Sequence, residues 1–444
     1  VGTLIFQFLM KFVLTFFACL AAHAAEPGVR ISTVATNGMP KDIVPKGSAW
    51  NFGPGSLLTH KGWQYAAYWD DARQVSVARR KLPTGEWSMV SLPGYQRSES
   101  GDRGKGGAIS RGFGDGHEKV AMGISPDGII HLSFDHHLST LRYRTSKLPV
   151  ANQPESHPWT ADLFGPVQDH LGGPRITSVT YPSFHTDGTR FLLYLRLGGG
   201  SGSANSHLFT YQNGKWTVNT EKDSKIIDRK WSGGDGTVNA YPFGLSFKDG
   251  RTHLTWCWRD TPVPSTCHDL CYAYSDDFGD TWKNNDGKVI GKRGRKFITA
   301  DSPGVSVWPI PSGKRYVNGG SMIVDSEDRL HVLVRGENGK PAHFQRDPKT
   351  AKWRRNATQH LGEFVGSSEG GILAVSGAAI YRFESNGSSN WRSISTAPRA
   401  LFSDSKAGRD PFRFAHDGWI SIIGQQGKKI SVVDFPIPIS SLGK

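Results

Sequence analysis

One short pattern recurs seven times along the chain: a turn, often Asp-Gly, followed by an apolar strand. The copies open at Gly62, Asp127, Asp187, Asp249, Glu327, Ser376 and Asp417, and a tryptophan follows six of them (Trp87, Trp159, Trp216, Trp282, Trp353, Trp391). The spacing is irregular, about 40 to 80 residues, which is the range of propeller blades that carry loop insertions. A strand unit of this size cannot bury both of its faces alone. Stacked radially, its neighbours cover it and leave only short edges. No helical stripe of period 3.6 runs for any length, so a helical solenoid is excluded. The expected fold is all-β, a single seven-bladed β-propeller over residues 25–444. The seventh copy is short of a full blade, so a strand between about Ser32 and Phe52 is expected to complete it and tie the chain ends together.

The fourth copy carries a more specific tag, Ser275-Asp-Asp277-Phe-Gly279-Asp-Thr281-Trp282, an Asp-box. Its carboxylate and hydroxyls are expected to satisfy backbone donors of a hairpin turn. Gly279 takes the positive φ and Trp282 packs between blades. Such boxes lie in peripheral turns and speak for fold, not for chemistry.

Composition narrows the partner. Lys and Arg number 53 against 39 Asp and Glu, a formal charge of +14. A surplus of this size calls for a polyanion. Residues Met10 to Ala25 read as a signal peptide: one Lys, an apolar run from Phe12 to Ala22, then Ala22-His23-Ala24 as a cleavage site. Residues 1–24 are therefore expected to be removed, with 1–9 an upstream extension. The mature protein is expected to be a secreted or periplasmic monomer, free of the membrane. An exported chain with no lysine-dense run is not expected to bind nucleic acid.

The mature chain keeps three cysteines, Cys257, Cys267 and Cys271, with His253 and His268 beside them. An odd number cannot pair fully within one chain. Imidazole and thiolate together suit Zn²⁺, with His253, Cys267, His268 and Cys271 as candidate ligands. One disulfide plus one buried thiol is the other reading. No organic cofactor is expected.

Polar residues just beyond inner strands are the ones that can carry chemistry in a propeller. Asp115-Gly-His117 and Asp135-His136-His137 bracket a strand and a turn, so their imidazoles can converge at one end of a blade. Histidine carries protons near neutral pH. His131 sits in strand alternation and reads as structural; His136 is open to either role. Next come Thr180-Tyr181-Pro182 and Arg196, which leaves a strand into a Gly/Ser loop. Pro182 is expected to hold Tyr181 extended, and the Arg196 guanidinium can fork onto a carboxylate or sulfate. Asn239-Ala-Tyr241-Pro242 and Arg259 echo this pattern in the following blade, and Arg335 takes a comparable strand end in the one after. Asn239, Tyr241, Arg259, Arg335 and His136 are the expected substrate-binding residues.

Taken in order, D-G-H-x(5)-G-I, D-x-H-x(3)-L-R-Y, T-Y-P-x-F, L-R-x-G-x-x-S-G, N-A-Y-P and H-L-T-W-x-W-R resemble the BNR-repeat propeller family that contains the ulvan lyases. The resemblance spans about residues 50–340. It implies a polysaccharide lyase that cuts a uronate glycan by β-elimination. That chemistry needs a neutralised carboxylate, a base for the C5 proton and an acid for the leaving O4. The resemblance makes His117 the base and Tyr181 the acid, with both roles open to Tyr181. Arg196 and His137 neutralise the carboxylate, and Tyr241 and Arg259 hold neighbouring sugars. It also implies a structural zinc. Two rivals stand beside it. A sialidase-like hydrolase would need a Glu partner for Tyr181 and three arginines, and neither is evident. A non-catalytic glycan-binding propeller would not need His117 and His137 together.

Overall fold

The computed structural model describes residues 28–40, 52–97, 117–200, 203–233, 236–314, 316–368, 371–384, 391–404 and 407–437. The expected signal segment, Asp115 and Gly116 lie outside them. Seven antiparallel sheets follow one another, one for each copy of the repeat. Their innermost strands are Leu57–His60, Val120–Ile124, Val179–Thr186, Asn239–Lys248, Val317–Val324, Glu363–Ser368 and Gly408–Arg409. The ring of seven blades is the expected propeller.

The repeat's turn residues have a clear physical reason. Gly128, Gly188, Gly250 and Gly418 take φ values of +88°, +87°, +80° and +77°. Glycine meets no Cβ penalty there. The turn Ser275–Trp282 closes on side chains as its sequence implies. Ser275 Oγ accepts from Gly279 N at 2.7 Å, Asp277 Oδ1 accepts from Thr281 N at 2.7 Å, and Trp282 Nε1 donates to Gly279 O at 3.0 Å.

The seams between blades repeat as well. His131, His253 and His331 each sit four residues after the turn, on the second strand of blades 2, 4 and 5. Each Nδ1 meets a polar ring atom on the third strand: Tyr143 Oη at 2.6 Å, Tyr272 Oη at 2.9 Å and His343 Nε2 at 3.0 Å. A tryptophan from the next blade then covers each pair: Trp216 on Tyr143, Trp353 on Tyr272 and Trp391 on His343. Three seams therefore carry one histidine–ring–tryptophan cluster, with the tryptophan edge-on to its partner.

The chain ends close the ring. Arg30–Ala35 pairs antiparallel with Lys429–Pro436, Arg30 opposite Asp434. The closing strand thus begins slightly before the expected Ser32 and ends at Ala35; residues 41–51 are not among those described. Arg80 of blade 1 grips both partners, through Ser32 Oγ at 3.0 Å and Asp434 Oδ2 at 2.6 Å.

Candidate active site

His117 leads into the inner strand of blade 2, and Lys119 N donates to its carbonyl at 2.9 Å. His137 begins a short strand, His137–Ser139, that leaves blade 2 and pairs with the inner strand of blade 3, opposite Thr180. This crossover brings two chain-distant imidazoles face to face. Their ring centroids are 4.1 Å apart and their planes 15° from parallel. Asp135 and Leu138 both adopt φ of +61° around the turn, so local backbone strain is held there by the surrounding packing.

Tyr181 lies 5.3 Å from His117, ring to ring. The expectation that Pro182 keeps Tyr181 extended is corrected: its φ is +57°. The register jumps from Thr180–Arg196 to Ser183–Tyr194, so Tyr181 and Pro182 form a β-bulge. A bulge re-aims a side chain out of the strand's alternation, and here it turns the phenol towards the histidines. A small open cleft is lined by Pro54, His117, Lys119, Ala121, Tyr181 and Pro182.

Arg196 is opposite Thr180 on one side and Ser206 on the other. It is 3% exposed. Its guanidinium carbon lies 5.1 Å from the Tyr181 ring centre and 4.5 Å from that of Tyr241, within cation–π range of both. Nε and Nη1 are buried without a hydrogen-bond partner among the described residues. Unmet buried donors on a cation are costly, and an anion entering beside Tyr181 would satisfy them.

Tyr241 is buried beside two guanidiniums, that of Arg259 lying 5.2 Å from its ring centre. Arg259 donates through Nε to Thr261 O at 3.1 Å and through Nη2 to Pro262 O. Two of its donors thus hold the loop after its own strand. Arg335 is the exposed last residue of a blade 5 strand. It makes no contact with the His117–Tyr181–Arg196 group among the described residues.

Two expected binding residues are corrected. His136 is buried between Ser133 Oγ at 3.0 Å and Ser139 Oγ at 3.2 Å. Burial, and then Arg142, hold its pKa well below the usual imidazole value. It stays neutral and organises the turn. Asn239 is fully buried; its Oδ1 accepts from Ala204 N at 2.7 Å and its Nδ2 donates to Gly200 O at 3.2 Å. It pins the Gly/Ser loop beside Arg196.

Sequence reasoning missed the lattice behind the histidines. Arg97 pairs with Glu118 at 2.7 Å and lies 3.7 Å from Asp135, all three buried. Tyr95 donates to Asp135, and Arg142 Nη1 donates to the Asp135 carbonyl at 2.5 Å. Glu118 and Asp135 flank the two imidazoles in sequence, which was the available signal. Nothing local marked Arg97 or Tyr95.

The expected zinc ligands do not converge. His253 belongs to a blade seam and is bound to Tyr272. Cys267 packs with Cys257 and Tyr241, whereas Cys271 packs on the opposite face with Trp256 and Trp258. A register skip at Trp256–Trp258, with Asp269 at φ +57°, sends the two cysteines to different faces. His268 is held by Asp260 at 2.9 Å and Asp269 at 3.2 Å. Burial pulls its pKa down, but Asp269 and Asp260 more than offset this and raise it. Burial pushes the Cys257 and Cys271 thiols up, away from the thiolate a metal needs. Among the described residues no three His, Cys, Asp or Glu side chains are arranged to hold an ion. The predicted set does not fit zinc, and no step below uses one.

Comparison with known proteins supports the architecture. The structure resembles that of the polysaccharide lyase Uly1, with TM-score 0.71 and 16% identity, over 92% of this chain and 99% of that one. It also resembles a PL25 ulvan lyase bound to -[GlcA(1-4)Rha3S]-, with TM-score 0.63 and 13% identity, over 93% and 99% of the two chains. No curated protein sequence matches the chain. The profile of the BNR repeat-containing family matches residues 63–361, about two thirds of the sequence and four of the inner strands, and the chain belongs to that family.

Proposed function

We propose that this protein is an exported polysaccharide lyase that cuts a uronate-containing, sulfated glycan of the ulvan kind by β-elimination. The observation that carries the reading is Arg196, a buried guanidinium with two unmet donors beside a phenol and a stacked imidazole pair. In the proposed reaction Arg196 and His137 take the uronate carboxylate, so that charge arising at C5 spreads onto a neutralised group. His117 removes the C5 proton. The C4–O4 bond breaks as the C4–C5 double bond forms, and Tyr181 gives its proton to O4. Tyr241 supports Arg196 from below. The fold likeness to two lyases makes ulvan the first glycan to try.

The test is incubation with ulvan and other uronate glycans while following the ultraviolet absorbance of the unsaturated product. Rising absorbance with new chain ends is expected. New reducing ends without absorbance would replace the lyase with a hydrolase. No change on any uronate glycan would leave a binding propeller.

A further inference from the structure

The site at the blade 2–4 rim leaves one feature of the sequence unused. Residues 288–296 hold five bases, Lys288, Lys292, Arg293, Arg295 and Lys296, and no acid. They form the outer edge of blade 4, the strand Val289–Lys292 and the turn after it. That strand pairs Lys292 with Thr281, at the end of the sheet where Ser275 pairs with Thr252. Arg259 and Tyr241 lie at the other end of the same sheet. The basic turn is therefore remote from the cleft.

The turn is rigid. Lys292 and Lys296 exchange backbone hydrogen bonds of 2.6 and 2.9 Å, and Gly294 N donates to Lys225 O at 2.9 Å. Arg293 points inward: Nη1 donates to Thr210 Oγ1 at 2.6 Å and Leu208 O at 3.2 Å, and Nη2 meets Asp280. It ties the turn to blade 3 and pairs with Asp280. Lys288, Lys292, Arg295 and Lys296 point outward, exposed, and make no ion pair among the described residues. Gly294 packs on the backbone of Asp223, which places exposed Lys222 beside them. The acids on that helical turn are Glu221 and Asp223, and Asp223 is engaged by Thr220.

We propose that this turn is a second binding surface for a sulfated polysaccharide, separate from the cleft. Clustered cations on a preorganised turn lose little conformational freedom on binding, and their mutual repulsion is relieved by a polyanion. Nucleic acid fits less well, since single strands need exposed aromatic platforms. The one ring at the turn, Phe297, is partly buried and covered by Lys225 Nζ at 3.9 Å. Basic residues on an edge strand also guard against edge-to-edge pairing. Arg295 and Lys296, however, lie beyond the strand, where no edge needs guarding.

The test uses affinity electrophoresis of the whole protein in gels containing dextran sulfate or neutral dextran. Dextran sulfate has no uronate, so binding is read without turnover and independently of the lyase reading. The triple variant K292Q/R295Q/K296Q is compared with Arg196→Ala. The expected result is retardation of the parent by dextran sulfate alone, weakened about tenfold or more in the triple variant and kept in Arg196→Ala, with salt abolishing it. Unchanged retardation of the triple variant would overturn the proposal. So would loss in Arg196→Ala alone, tighter retention by single-stranded DNA, or a triple variant whose only change is self-association.

Discussion

The His117 and His137 rings lie in van der Waals stacking, 4.1 Å between centroids, although twenty residues separate them in sequence. The contact exists because the His137–Ser139 strand crosses from blade 2 to pair with blade 3. On the proposed lyase reading the two imidazoles act as one unit. Removing either should cost nearly as much as removing both, because effects within a catalytic unit are not additive. His117→Ala and His137→Ala are each expected to lower kcat by about 10²- to 10⁴-fold, with the double variant no worse than the poorer single one. Steady-state rates on a uronate glycan check this. Losses that multiply in the double variant would mean independent roles.

Arg196 separates charge from shape. Arg196→Lys keeps a cation but loses the planar fork between Tyr181 and Tyr241. Activity should fall about 10²- to 10³-fold, the scale for one lost transition-state donor. Thermal stability should hold or rise, since the parent buries two unmet donors. A variant with parental rates would remove Arg196 from the chemistry.

Ring closure depends on Asp434. It receives Arg80 at 2.6 Å, Ser421 Oγ at 2.5 Å and Arg413 at 3.5 Å, all buried. Asp434→Ala would leave the buried Arg80 guanidinium without its carboxylate, a loss of about 3–5 kcal/mol, while Arg413 keeps Asp417 at 2.8 Å. Urea unfolding should show it as a lower midpoint. Deletion of residues 30–35 should give a comparable loss, because the same aspartate then loses the strand it holds.

Acid should weaken the fold earlier than carboxylate protonation alone would. His131 and His207 are buried, and burial lowers the pKa of each to about 3. Between that value and the unfolded value of about 6.5 the unfolded chain binds more protons than the folded one. Stability is therefore complete above about pH 6.5 and falls as pH drops towards 3. His131→Phe should flatten this slope, because Phe191 already fills the same repeat position in blade 3. Midpoints of urea unfolding at pH 5 and pH 7, about two units apart across the window, read the difference. An unchanged slope would remove His131 as a source.

The repeat was legible because it is local: a turn, an apolar strand and a tryptophan are read within one window. The sequence also singled out His117, His137, Tyr181 and Arg196, whose rings and guanidinium the structure brings together. What escaped is non-local. Arg97 reaches Glu118 and Asp135 through the ring, and no sequence pattern announces it. The bulge at Tyr181 was hidden because Pro182 argues for an extended backbone, and tertiary packing overrides that local preference. Asn239 and His136 looked like wall residues because polar side chains at strand ends are usually exposed; here Asn239 satisfies loop backbone and His136 is held between two serine hydroxyls.

The clearest misreading was His253, and it carries its own prediction. Beside three cysteines it resembled a ligand, yet its place in the repeat matches His131 and His331. Position in the repeat outweighs proximity in sequence, because the seam fixes where the ring points. His253→Gln should leave the metal content of the purified protein unchanged by elemental analysis. It should also lower stability by about 1–3 kcal/mol, as the buried Tyr272 hydroxyl loses its partner. His331→Gln should behave alike, through His343. A fall in bound metal specific to His253→Gln would restore it as a ligand and separate it from the seam histidines.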